Sequence, residues 1–152
     1  MALHPIVGEL LEATRASRTT IRLDSSAGVF PVAAEALAPG VRSIADDDSI
    51  DLRRAATFAF LERELRMLVQ DDCLVGASPP PRELVELYGV RAQMLAPIVR
   101  EGSLAGIVSV HHAATPREWA EHEIAALNRA VERAAAELEH AGWKPGGPLP
   151  AA

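Results

Sequence analysis

Two adjacent imidazoles, His111 and His112, end a run that begins Gly106-Ile107-Val108-Ser109-Val110. Histidine changes charge closest to neutral pH, so the pair raises metal ligation, acid–base catalysis or ligand recognition as its chemistry. The run reads as a strand, and successive side chains on a strand point to opposite faces. Ile107, Ser109 and His111 therefore share one face, while Val108, Val110 and His112 share the other. Adjacent histidines on a strand cannot chelate one ion, and no pattern sets Asp71 or Asp72 beside either ring, so no metal site is expected. Ser109 and His111 do share a face, as a nucleophile and its base would. Two residues along a strand is a rise of about 6.6 Å, too long for proton transfer over roughly 2.6–3.2 Å. No catalytic residue is assigned, and the chain is not expected to be an enzyme. The spacing suits two polar groups that touch separate points of one ligand.

Other side chains join this set. Gln93 lies in the middle of the apolar run 90–99, where a buried amide must find a partner. Arg91 shares its strand face, and Leu95 follows at the same parity. Arg54 precedes Phe58 by four residues, which puts both on one face of a helix. A guanidinium withdrawn from water selects carboxylate or phosphate through paired hydrogen bonds. Phe58, Leu95 and Ile107 would form the apolar wall of such a site, and plain core otherwise. The expected ligand-binding set is thus His111, Ser109, Gln93, Arg91, Arg54, Phe58, Leu95 and Ile107.

These residues must be held by elements legible in the chain. Residues 5–16 read as an amphipathic helix with Pro5 in its first turn. "RTTIRLD", 18–24, alternates Thr19, Ile21 and Leu23 against Thr20, Arg22 and Asp24, the period of a half-buried strand. A turn at "SSAG" returns the chain through a second strand, 29–37, with Pro31 at an edge or bulge. Ser49 is placed to cap a helix over 50–63. A short strand at 66–72, the rigid loop "GASPPPR" and a helix at 82–88 follow. Strands 90–99 and 104–112 form a hairpin around "REGS". Ile124, Leu127, Val131, Ala134 and Leu138 mark a heptad-like seam on a long helix over 117–140, capped by Thr115 with Pro116 and Glu118. Residues 141–152, rich in Pro and Gly, read as a flexible tail. The order predicts an α+β domain, residues 1–140, with both terminal helices on one sheet face and the middle connections on the other.

Composition narrows the function. The chain has 152 residues, 49% hydrophobic and 24% charged, enough for one domain with a sizeable core. Its net charge of −6, scattered arginines and 4% aromatic content argue against nucleic-acid binding. No apolar run is long enough for a membrane span, and the N-terminus lacks the basic start of a signal peptide. Cys73 is the sole cysteine, which suits a cytoplasmic protein without a disulfide.

The stretch "LAPIVREGSLAGIVSVHHAATPREWAEHEIAAL", 95–127, resembles a GAF domain. The shared features are a Pro-hydrophobic strand end, a Gly-containing turn, a Gly-hydrophobic strand, and a Trp opening the last helix. The resemblance implies a GAF/PAS-like α/β/α sandwich around an antiparallel sheet of about six strands. It also implies a small-molecule pocket beneath the middle connections, roofed in part by the helix that carries Arg54. "LYGVRAQMLAPIVREGSLAGIVSVHH" is similar to the phytochrome version, in which the first histidine of the pair faces the pocket. Where phytochromes that attach a bilin in this domain carry Cys-His, this chain has Pro80 and Pro81, so a covalent bilin and any other fixed cofactor are not expected. GAF-fold methionine sulfoxide reductases need a second cysteine, which is absent.

The expectation is a stand-alone cytoplasmic sensor that binds a small polar or anionic molecule and signals to a signalling or transcription partner. The terminal helices would support a homodimer. The alternatives are a ligand-free interaction module and a small enzyme that uses His111.

Overall fold

The computed structural model describes residues 2–26 and 28–150. Helix α1, His4–Thr14, leads into strands β1, Arg18–Leu23, and β2, Val32–Leu37. Helix α2, Ala56–Glu64, strand β3, Leu68–Gln70, and the short helix α3, Arg82–Glu86, form the middle of the chain. Strands β4, Val90–Arg100, and β5, Ser103–Ala113, precede helix α4, Glu121–His140. The sheet has five antiparallel strands in the order β2-β1-β5-β4-β3, one fewer than the resemblance implied.

The β4–β5 hairpin turns through Glu101 and Gly102, both left-handed at φ 53° and 77°. Its apolar alternation then divides the sheet into two faces. Met94, Ala96, Val108 and Val110 pack with Ile21 and Leu23 under α1 and α4. Leu95 and Ile107 face the opposite way, into a second core with Phe58, Leu61, Leu84 and Ile44. This is the expected sandwich, with the terminal helices on one side and the middle connections on the other. Residues facing each other across an antiparallel pair share a face, so strand parity decides which side chains enter the second core.

Four expectations about the elements need correction. All six residues of β1 are buried, because the strand lies inside the sheet and is covered on both faces, so it is not half-exposed. Helix α2 starts at Ala56, not at residue 50. Ser49 donates instead to Asp47 Oδ1 at 2.6 Å, and Ile50 and Leu52 use irregular backbone to reach the second core. Helix α4 starts at Glu121 because the preceding segment is held on the edge of β3. Arg117 N–H donates to Asp71 O at 2.9 Å, and the Trp119 indole donates to Gln70 O at 3.1 Å. The helix is capped by Glu123, whose Oε1 accepts from Ala120 N–H at 2.8 Å. Finally, the stretch after α4 is docked. Trp143 is buried in the first core, and the N–H groups of Gly146 and Ser26 donate to Asp24 O and Gly147 O.

Candidate ligand-binding site

Strand register brings the polar residues of three strands together beneath the middle connections. Arg18 faces His111, Thr20 faces Ser109 and Arg22 faces Ile107 across β1 and β5. On the other flank Gln93 faces His111 and Leu95 faces Ser109. A hollow lies over this face. Its floor includes Arg22, Gln93, Ser109 and His111, with Leu95 and Ile107 between them. Its roof is Phe58, Leu61, Thr57 and Leu52 from α2 and its approach, with Leu84 and Pro81. The space open to the centre of a water-sized sphere is about 20 Å³, room for roughly one water as the roof stands.

Two buried guanidinium groups dominate the electrostatics. Arg18 is compensated: its Nη2 donates to Arg42 O at 2.5 Å, and its Nε lies 3.7 Å from Glu35 Oε2. Its Nη1 lies 3.4 Å from His111 Nδ1. Arginine can only donate, so His111 Nδ1 accepts and the ring proton resides on Nε2. Burial, then the charges of Arg18 and Arg22, hold His111 well below its ordinary pKa of 6.5, so the ring is neutral. Arg22 is different. It is 8% exposed and donates through Nη1 to Phe30 O at 3.0 Å, while its Nη2 has no partner. Burial pushes its pKa down to about 10, which still leaves it charged at neutral pH. Among the described residues no carboxylate forms an ion pair with it.

Three further polar atoms on this face lack hydrogen-bond partners, the first being Arg18 Nε, which has only the longer contact to Glu35. Gln93 is fully buried and gives Nε2 to Gln70 Oε1 at 2.7 Å, but its Oε1 accepts nothing. Thr20 Oγ1 is likewise unpartnered. Buried polar groups are nearly always satisfied, and an unpaired buried cation is costlier still. The arrangement can receive an anion at Arg22 and a donor at Gln93.

Of the expected set, the structure brings His111, Ser109, Gln93, Phe58, Leu95 and Ile107 to the hollow. Arg54 does not reach it. It precedes α2, its side chain is 90% exposed, and it pairs with Asp51. Arg91 is also elsewhere: a bulge after Val90 turns it toward Asp72, which it grips with two bonds of 2.9 and 3.2 Å. Sequence reasoning missed Arg18, Thr20 and Arg22. Thr20 and Arg22 fall on the polar side of a strand whose period reads as half-buried, and that period alone does not mark the side as covered. Ser109 and His111 share the floor, but His111 Nδ1 engages Arg18. Cys73 lies in the second core at the end of β3, with burial pushing its thiol up to about 12, and it is not among the lining residues. Among the described residues no group of three or more His, Cys, Asp or Glu could hold a metal ion. No described helix is long and apolar enough to cross a membrane.

Known proteins place this geometry in context. The GAF domain family model matches residues 1–138. The blue-light absorbing form of the Thermosynechococcus elongatus PixJ GAF domain superposes with a TM-score of 0.72 at 22% identity, over 92% of this chain and 84% of that one. A far-red absorbing domain solved with bound biliverdin IXα gives 0.70 at 18% identity, over 93% and 89%. In sequence, 51 residues are 41% identical to the circadian input-output histidine kinase CikA of a Synechocystis strain. That match spans 34% of this chain and only 6% of the kinase. With the family model covering most of its length and the sandwich matching solved members, the chain belongs to the GAF domain family.

Proposed function

We propose that this GAF domain is a sensory module that binds a small anionic molecule in the hollow over β1, β5 and β4 and passes its occupancy to a partner through the terminal helices. The observation that carries this reading is Arg22, a buried guanidinium lining the hollow with an unpartnered Nη2 and no carboxylate paired to it. A small ligand is favoured over a bilin by room for about one water and by the absence of a cysteine among the lining residues. A binding role is favoured over catalysis because His111 is neutral and engaged by Arg18, with no activated nucleophile beside it.

A path for the signal is available. Gln93 is bonded to Gln70, whose carbonyl accepts the Trp119 indole. Arg117 stacks on Trp119 at 4.4 Å and also bonds Glu123 in the first turn of α4 and Thr14 O at the end of α1. A ligand that draws on Gln93 therefore pulls at the edge where both terminal helices are tied.

Native mass spectrometry of freshly purified protein, followed by a thermal-shift panel of small anions and neutral analogues, tests the proposal. The expected result is a retained molecule, or stabilisation by anions alone, lost in Arg22→Gln. A hollow that retains nothing and responds to nothing would instead support a ligand-free interaction module.

A further inference from the structure

The free groups of the hollow specify more than negative charge. Charge comes first. Arg18 pairs with Glu35, His111 is neutral, and no Asp or Glu is among the lining residues, so Arg22 contributes one positive charge without an ion pair, on which Glu35 and Asp47 act only at longer range. One positive charge is met by one negative charge. An ammonium group would enter beside the Arg22 guanidinium with no carboxylate lining the hollow to receive it. The ligand is therefore a monoanion without a basic amine.

Hydrogen bonding comes next. Arg22 Nη2 can only donate and the Gln93 amide oxygen can only accept, while Gln93 Nε2 already gives one N–H to Gln70. Beside Gln93, its partner across β4 and β5, His111 presents Nε2–H, because Arg18 occupies Nδ1. A hydroxyl fits this pair, as it can donate to Gln93 while accepting from His111. An unsubstituted carboxylate leaves Gln93 Oε1 unpaired. Size is the last constraint. Room for about one water, under a roof of Leu52, Leu61 and Leu84, admits a few heavy atoms with modest side-chain shifts.

Building on the anion-sensor reading, we infer that the hollow binds a short hydroxycarboxylate, its carboxylate on Arg22 and its hydroxyl between Gln93 and His111. The site is a discriminator. It separates a hydroxy acid from the simple acid through Gln93 and from the amino acid through charge.

Calorimetric titration of the purified protein at pH 7.5 with glycolate, acetate and glycine tests the inference. Glycolate is expected to bind one-to-one, with acetate about tenfold weaker, a difference of about 1.4 kcal/mol, and glycine without measurable heat. Gln93→Leu is expected to reduce the glycolate-to-acetate ratio to about one. Arg22→Gln, checked for cooperative melting, is expected to lose both anions. Acetate or glycine as tight as glycolate, or binding that survives Arg22→Gln, overturns the inference. If no probe binds but native mass spectra show another retained small molecule that is lost in Arg22→Gln, the hydroxycarboxylate class fails while the sensor reading stands. If no probe binds and nothing is retained, both fall.

Discussion

Arg22 sets the stability of this domain against its use. A charged guanidinium held on one hydrogen bond in an apolar enclosure costs desolvation energy that an ion pair would normally offset. Exchanging such a charge for a hydrophobe of similar length is often neutral or stabilising. Arg22→Met is accordingly expected to raise the melting temperature by about 2–4 °C, equivalent to about 1 kcal/mol, while removing anion binding. A lower melting temperature would show that the guanidinium already has adequate partners. His111 adds a pH dependence whose sign is fixed by its surroundings. Its folded-state pKa lies well below the ordinary 6.5 because of burial and the two arginines. As pH falls, the unfolded chain therefore takes the proton first. Stability is flat in this term above about pH 6.5 and declines below it, with a slope that approaches about 1.4 kcal/mol per pH unit. His112, also depressed by burial, adds in the same direction. Urea titrations between pH 7.5 and 5 are expected to show this decline, and His111→Asn a shallower one.

At the scale of elements, β1 and β5 approach as closely as their backbones permit. A Cβ at Gly106 would lie 2.9 Å from the carbonyl oxygen of Arg22 and 3.0 Å from both Ile98 Cδ1 and Leu23 Cδ2. The carbonyl cannot move without displacing Arg22. Gly106→Ala is expected to cost about 1–3 kcal/mol by chemical denaturation and to weaken anion binding with it. What was readable in the sequence follows the same logic. The parity of β5 was legible because an apolar run with one polar face has only one sensible orientation, and it placed Ser109 and His111 correctly. The parity of β1 was equally visible, but its Arg-x-Thr-x-Arg face reads as solvated unless the middle connections are known to cover it. Arg91 was misplaced by a bulge, which sequence periodicity cannot register. Arg54 was misplaced because residues 50–55 serve the roof as irregular chain, where helical spacing has no meaning. The start of α4 shifted because contacts with β3, distant in sequence, outweighed a plausible local cap.

For the whole molecule, the sheet separates two cores with different roles. The core under the terminal helices is built mainly of apolar side chains. Leu127, Ala134 and Leu138 of the heptad-like seam are buried in it, and Ile124 and Val131 pack at its margin. That seam serves the fold of the single chain, whatever else the outer surface of α4 does. Leu127→Ala is expected to cost about 2–5 kcal/mol in a denaturant titration, and a loss below 1 kcal/mol would show that the seam is not core. The core under the middle connections is the opposite kind. It mixes leucines with two arginines, a histidine and a glutamine, and the loop over it is fastened by further polar contacts. Tyr88 donates to Asp47, its ring is met by the guanidinium groups of Arg18 and Arg42 at 5.4 and 4.5 Å, and Arg42 bonds Leu87 O at 2.8 Å. Among the described residues, buried polar atoms without partners also occur away from the hollow, at Arg100 Nη1, His112 Nδ1 and Trp143 Nε1, whereas Arg22 and Gln93 are the two such residues that line it. The most direct measurement is a nitrogen-15 spectrum of the arginine side chains during titration with acetate. Saturable movement of the Arg22 guanidinium signals, with exposed Arg54 and Arg82 unmoved, is the result expected. Arg22 signals that stay still, or move no more than those of the surface arginines, would contradict it.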